Sequence, residues 1–185
     1  MKSLIIDASQ DQLAVVVIDG EKVYKKIGEK GARRHTKAIL TSIEELLTEA
    51  QVLPKEIEGI GVVVGPGSFT GIRIGVATAN AFAKATLAKI CELTSLEVLA
   101  YNKDNVLALL DCKHDNYYAL FRNNGEDVYV AINASEIDGF NAKECVYYEE
   151  PNVDNLVATY LEKVKNGQYK KVAEPFYMKK SSAEN

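Results

Sequence analysis

Residues 57–88 hold a strand, a glycine-rich break and a helix in direct succession. Ile57 to Gly65 reads as a buried strand, and Gly65-Pro66-Gly67-Ser68-Phe69-Thr70-Gly71 is a loop. A helix follows over roughly Ile72 to Ala88, and a short strand near Ile90 to Leu93 comes next. A strand that returns through a helix lies parallel to the first, so this stretch predicts a βαβ crossover inside an α/β layer.

The residues before it start the same sheet differently. Ser3 to Asp7 and Gln12 to Asp19 read as strands, the second rich in β-branched side chains (Val15, Val16, Val17, Ile18). Asp19-Gly20 is a hairpin signal, and Lys22 to Ile27 forms a third strand. Ile39, Ile43, Leu46, Leu47 and Ala50 recur at helical spacing, which predicts a helix over His35 to Ala50. Thr94-Ser95-Leu96-Glu97 is a capping box, and the helix it opens runs to about Tyr101. The order from Met1 to Tyr101 is β-β-β-α-β-α-β-α. That is one complete α/β lobe, a mixed sheet with an antiparallel hairpin start.

A boundary falls near Asn102 to Asp104, which divides the chain into residues 1–101 and a smaller lobe over 102–185. In the smaller lobe Asn105 to Cys112 and Tyr117 to Arg122 read as strands. Asn124-Gly125 turns into a third, Asp127 to Ile132, and Cys145 to Tyr148 is a candidate fourth. Val153, Leu156, Val157, Tyr160, Leu161 and Val164 form an amphipathic helix that Gly167 ends. The polar tail, Lys179 to Asn185, reads as frayed.

Composition narrows the function classes. Hydrophobic residues make up 47% of the 185, enough for a buried core, and the net charge is −4. A protein that holds nucleic acid by itself normally carries a dense basic surface. If the substrate is a nucleic acid, another subunit is expected to hold it. Cys91, Cys112 and Cys145 form no CxxC pair, so they suggest neither a zinc knuckle nor a redox motif, and reduced thiols of a cytoplasmic protein are expected. The apolar run at the start is short and is cut by Asp7, which argues against a signal peptide. No apolar stretch is long enough for a membrane span.

Two segments have the residue types of a binding site. A glycine-rich loop between a strand and a helix N-terminus can point amides at a phosphate. Gly65 to Gly71 has that context, although the glycine order is not GxGxxG and no Lys-Ser/Thr pair follows. The same loop also suits a tight structural turn that docks a helix. Asp7, at the end of the first strand, and Ser9 suit a metal-bound water and a phosphate, or an ordinary turn.

Together, Ile5-Ile6-Asp7-Ala8-Ser9, His35, Gly65-Pro66-Gly67-Ser68-Phe69-Thr70-Gly71-Ile72-Arg73-Ile74-Gly75 and Ser95-Leu96-Glu97 resemble the TsaB (YeaZ) family. The resemblance covers Met1 to about Tyr101. Beyond it, Asp111-Cys112-Lys113-His114 is similar to the family's Asp-Ala-Arg segment with two positions altered. Pro175-Phe176-Tyr177-Met178-Lys179 is similar to its C-terminal Pro-x-Tyr segment. The resemblance implies an actin-like (ribonuclease H-like) fold with a reduced second lobe, and a non-catalytic subunit of the tRNA threonylcarbamoyladenosine machinery. It implies a TsaD-type catalytic partner, a TsaE-type ATPase and no cofactor. The TsaD relatives carry a metal through His-x-x-x-His, and Ser95 and Leu99 stand at those positions here, so no metal is expected. The two histidines, His35 and His114, lie far apart in sequence.

The helix after the loop is apolar almost all round, with Arg73, Asn80 and Lys84 on one stripe. Such a helix is covered on more than one side. Either the His35 to Ala50 helix covers it within the chain, or a partner does. The resemblance favours a partner, a TsaD-type subunit or a second copy. It assigns Ile39, Ile43, Leu47, Ile72, Val76, Ala79, Asn80 and Ala83 to the contact. Asp7, Ser9, Gly65, Pro66, Gly67, Ser68, Phe69, Thr70, Gly71 and Arg73 form the candidate nucleotide or structural loop. An ATP-dependent small-molecule kinase is the alternative, and it requires a second phosphate loop. Asn123-Asn124-Gly125 is an ordinary hairpin signal instead. A peptidase would need a metal or an activated nucleophile.

Overall fold

The structure is a computed structural model that describes residues 1–30 and 35–178. The His35 side chain and the tail from Lys179 onward, both singled out in the sequence, lie outside the described residues. The strands are β1 (Lys2–Asp7), β2 (Ala14–Asp19), β3 (Lys22–Ile27), β4 (Gly59–Val63), β5 (Lys89–Leu93), β6 (Val106–Asp111), β7 (Asn116–Asn123), β8 (Glu126–Asn133) and β9 (Glu144–Tyr147). The helices are α1 (His35–Ala50), α2 (Phe69–Thr86), α3 (Ser95–Leu99) and α4 (Val153–Lys165).

The first sheet has the order β3-β2-β1-β4-β5. β1 is antiparallel to β2 and parallel to β4, and β5 is parallel to β4, so the antiparallel start and the βαβ crossover share one sheet. Its middle strands read as nearly continuous apolar runs because both of its faces are covered. On one face Leu4, Ile6, Val15, Val17, Ile60 and Val62 pack with Ile39 and Ile43 of α1 and Ile72, Val76 and Ala79 of α2. On the other, Ile5, Val16, Ile18, Val63 and Leu93 pack with Val153, Leu156 and Tyr160 of α4.

α4 therefore covers the first sheet, although its residues follow the second in sequence. Tyr160 is fully buried and donates a hydrogen bond from Oη to Ser3 Oγ at 2.9 Å. Its ring lies over Gly59 and Gly61, where an added Cβ would collide with it. The two glycines of β4 are the seat that lets α4 approach. Residues 170–178 also return to the first sheet. Lys170 N donates to Ile90 O at 2.8 Å, and Phe176 N to Val64 O at 2.8 Å. Residues 102–104 lie between the strands of the two sheets, while α4 and this C-terminal strap pack with residues 1–101.

The second sheet has the order β8-β7-β6-β9, with β9 parallel to β6. Leu96 and Ala100, from α3 and the residue after it, pack on one face. On the other, Ile137 and Phe140 of a 3-10 segment (Ala134–Phe140) do the same. Asn124 and Gly125 both have positive φ (52° and 76°) and close the β7–β8 hairpin as the sequence predicts. α2 begins at Phe69 and not at Ile72. Ser68 is its N-cap and accepts from Gly71 N, so Phe69, Thr70 and Gly71 form the helix's first turn. The capping box of α3 is formed as read, with Thr94 N donating to Glu97 Oε1 at 2.9 Å and Glu97 N to Thr94 Oγ1 at 3.0 Å.

Candidate functional site

Asp7, the glycine-rich loop and the start of α3 meet at the C-terminal ends of β1 and β4. Asp7 Oδ1 accepts from Ser9 N at 2.9 Å and from Ser9 Oγ at 2.6 Å. Ser95 Oγ donates to Pro66 O at 2.8 Å and lies 3.0 Å from Ser9 Oγ. Ser68 N donates to Ser9 O at 2.7 Å, Ser95 N to Gly65 O at 2.9 Å, and Gln10 Nε2 to Pro66 O at 3.2 Å. The loop is stitched to the β1–β2 turn on one side and to α3 on the other.

Sterics explain the glycines. A Cβ on Gly67 would run into the Ser9 carbonyl, and one on Gly71 into the Ala8 carbonyl. Gly65 has φ +122°, and the Phe176 carbonyl of the strap sits where its Cβ would be. The glycines are required by the approach of the protein's own backbone. The amides of Ser68 and Gly71, which an anion would need, are already donated to Ser9 O and Ser68 Oγ.

Burial pushes the Asp7 carboxyl above its usual range, and the two Ser9 hydrogen bonds pull it back. The space beside Asp7, lined also by Ser95, Leu99, Tyr148 and Pro151, measures about 20 Å³. That holds about one water, against the ~300 Å³ or more of a small-molecule site. A larger cavity, of about 880 Å³, is bounded by Glu92, Lys163, Lys170 and Phe176, and neither Asp7 nor Ser9 lines it.

The residues assigned to a partner contact are placed inside the chain. Ile39, Ile43, Leu47, Ile72, Val76, Ala79 and Ala83 are all buried in the core between the first sheet, α1 and α2. Asn80 clasps the strap, donating from Nδ2 to Ala173 O at 2.9 Å and accepting at Oδ1 from Ala173 N at 2.8 Å. The side of α2 that faces outward carries Arg73, Ala77, Ala81, Lys84 and Ala85. At its N-terminal end the Arg73 guanidinium lies 3.7 Å from the Phe69 ring centre and donates from Nε to Tyr177 Oη at 3.0 Å. Phe69 and Tyr177 stack at 5.3 Å, and Thr70 is exposed beside them.

Sequence reasoning missed Ala173 and Lys163, and marked Tyr177 only as part of a motif. Lys163 pairs with Glu97 at 2.5 Å and donates to Glu92 O at 2.9 Å. The strap has no hydrophobic period, so only the Pro175-Phe176-Tyr177 motif marked it. Ser95 is buried in the stitching, and Leu99 packs under the second sheet. Asp111-Cys112-Lys113-His114 forms the β6–β7 turn, where Asp111 Oδ1 accepts from Lys113 N at 2.7 Å. Among the described residues no group of three or more His, Cys, Asp and Glu side chains is placed to hold a metal ion, and no helix is long and apolar enough to cross a membrane.

The fold recurs in two solved structures. One is an uncharacterized protein with similarity to peptidase YEAZ from Pseudomonas aeruginosa. It superposes with a TM-score of 0.79 at 19% identity, over 96% of this chain and 99% of that one. YeaZ from Pseudomonas aeruginosa follows at 0.76 and 19%, over 95% and 99%. Those likenesses establish the fold.

Residues 5–182 match the family described as TsaD, tRNA N6-adenosine threonylcarbamoyltransferase, and the chain belongs to that family, on its TsaB (YeaZ) side. It is 30% identical over 122 residues to the tRNA threonylcarbamoyladenosine biosynthesis protein TsaB of Haemophilus influenzae, which is 62% of this chain and 51% of that protein. To the TsaB of Bacillus subtilis it is 31% identical over 102 residues, 55% of this chain and 44% of that protein. To the tRNA N6-adenosine threonylcarbamoyltransferase of Enterococcus faecalis it is 36% identical over 98 residues, 44% of this chain and 28% of that protein. The chain spans about half the length of the curated TsaB relatives it matches.

Proposed function

We propose that this chain is a non-catalytic scaffold subunit that binds and activates a TsaD-type catalytic subunit in the formation of tRNA threonylcarbamoyladenosine. A TsaE-type ATPase joins the pair, tRNA is reached through the partners, and the complex works in the cytoplasm. The fold is the actin-like (ribonuclease H-like) one, with its nucleotide site given over to structure. The observation that carries this reading is the stitched loop. Ser9, Pro66, Ser68 and Ser95 satisfy one another, and the space beside Asp7 holds about a water. The same observation weighs against a kinase.

Partner contact falls on the outward side of α2, because Val76, Ala79 and Ala83 serve the internal core. Ala77, Ala81 and Ala85 let a partner helix approach closely there, with Phe69, Arg73 and Tyr177 at one end. Calorimetry with a TsaD-type protein tests it. Ala81→Arg buries an unpaired charge at the contact, worth about 3 kcal/mol or about a hundredfold in affinity, with the fold intact. Ala79→Arg unfolds the chain instead, since Ala79 is fully buried. Undiminished binding of the folded Ala81→Arg protein removes this face from the contact, and tRNA modification by this chain alone ends the scaffold reading.

A further inference from the structure

The outward side of α2 carries charge of one sign only. Over Phe69–Thr86 the helix has Arg73 and Lys84 and neither Asp nor Glu, on a chain whose net charge is −4. α4 mixes both signs, with Asp154 and Glu162 beside Lys163 and Lys165. A solvated helix commonly sets opposite charges three or four positions apart. On α2 the positions that would compensate Arg73 and Lys84 are Ala77 and Ala81, both exposed. Among the described residues neither cation stands in an ion pair.

The two cations lie on one line of the helix, three turns or about 16 Å apart, with Ala77 and Ala81 between them. Arg73 is held in place. Its guanidinium lies 3.7 Å from the Phe69 ring centre, and Nε donates to Tyr177 Oη at 3.0 Å. Phe69 and Tyr177 are themselves exposed and stacked at 5.3 Å. The two terminal nitrogens of the fork are left open. A fork fixed beforehand loses little freedom on binding, and its planar donors match a carboxylate in two parallel bonds. Arg and Tyr exposed together are the side chains that most often dominate protein contacts. Two cations match a nucleic acid poorly, since proteins that hold one neutralise many phosphates.

We infer that this face receives an acidic helix of the TsaD-type subunit, with one carboxylate on the Arg73 fork and a second, about three turns away, on Lys84. The inference rests on the scaffold reading and gives its partner a chemistry. Small side chains at 77 and 81 let the two helices approach between the charged ends. The charges also set the register, because a slip of one turn leaves both cations unpaired.

Calorimetry with a TsaD-type subunit, at low and high salt, tests this. Wild-type binding weakens as salt rises. Arg73→Gln weakens it about tenfold or more. Lys84→Gln has a smaller effect, about twofold to fivefold, because that lysine is exposed and flexible. The double variant binds with little dependence on salt. A water-soluble carbodiimide then reads the pairing directly. It activates a carboxyl of the partner, Lys84 Nζ attacks the activated carbon, and an amide forms as the carbodiimide leaves as its urea with the carboxyl oxygen. Arg73→Lys offers an amine at the other end of the line. Mass spectrometry should find the two coupled acids about three turns apart on one segment of the partner. Circular dichroism reports the fold of each variant. Arg73→Gln and Lys84→Gln proteins that bind as tightly as the wild type overturn the inference; if Ala81→Arg has lost binding, the scaffold reading still stands. A wild type that does not bind removes the scaffold reading itself. Binding of tRNA by the chain alone, lost in Arg73→Gln, makes the face an RNA contact and also overturns the inference.

Discussion

Replacing Asn80 by Ala separates two roles for one side chain. The amide of Asn80 makes a reciprocal pair of bonds, 2.9 and 2.8 Å long, with the backbone of Ala173, a residue that is 2% exposed. No water reaches Ala173 easily once the amide is gone. Each neutral hydrogen bond contributes about 0.5–1.5 kcal/mol net, so the pair is worth about 2 kcal/mol, and more if the Ala173 groups stay buried without partners. For a chain of this size about 1 kcal/mol moves Tm by about 2–4 °C, which predicts a loss of about 4–8 °C for Asn80→Ala. The loss is local before it is global. Hydrogen exchange should quicken at the Ala173, Glu174 and Phe176 amides, because the strap between Lys170 and Tyr177 loses its central tie. Thermal unfolding and exchange by mass spectrometry read both effects. Unchanged Tm and unchanged exchange at Ala173, with weakened binding of a TsaD-type partner, would refute the clasp and return Asn80 to the partner surface.

Two further outcomes follow from the site. Gly67→Val forces a side chain into the Ser9 carbonyl, so it should lower Tm severely or prevent folding; a variant of full stability that has lost tight ATP binding would mark the loop as a phosphate site. Burial raises the folded pKa of Asp7 above its ordinary value of 3.8, so the ionised carboxylate disfavours the fold at neutral pH. That unfavourable contribution shrinks as pH falls through the folded value and is gone below the unfolded one. Asp7→Asn keeps an oxygen for Ser9 and should raise Tm at pH 7, with the gain fading on acidification; a lower Tm at pH 7 would mean that the carboxylate has a stabilising partner.

The first sheet was legible because its signals are local. Asp19-Gly20, the β-branched run of β2 and the Thr94 to Glu97 box each report on a few adjacent residues, and all appear where they were read. The start of α2 lies three residues before the predicted Ile72 because the glycines at 65, 67 and 71 read as one loop. Ser68, an N-cap residue type three positions before Gly71, is the signal that marks the true start. The residues expected at a partner contact lie in the core for a different reason. Helical spacing tells which residues of α2 share a side, but Val76, Ala79 and Ala83 on one side and Ala77, Ala81 and Ala85 on the other are equally small and apolar. Only the packing of α1 and the sheet decides which set is internal.

The α4 helix itself reads from its spacing, but where it and the strap pack was the least legible feature and bears most on the site. Both come from the end of the chain and both bind residues 1–101, through contacts such as Tyr160 with Ser3 and Phe176 with Val64 that span more than a hundred positions. Nothing local in the sequence specifies a partner at that range. The glycines of β4 carry the trace of it, since a strand interior normally disfavours glycine, and Gly59 and Gly61 stand where the Tyr160 ring lies. Gly65 has the same relation to the Phe176 carbonyl. In this chain a glycine inside or just after β4 marks the place where the C-terminal third comes back. The loop Gly65 to Gly71 is therefore held from three directions, by the β1–β2 turn, by α3 and by the strap. A loop held in that way has its amides taken by the protein itself, which suits a surface for a partner better than a phosphate loop, whose amides must be free for the anion.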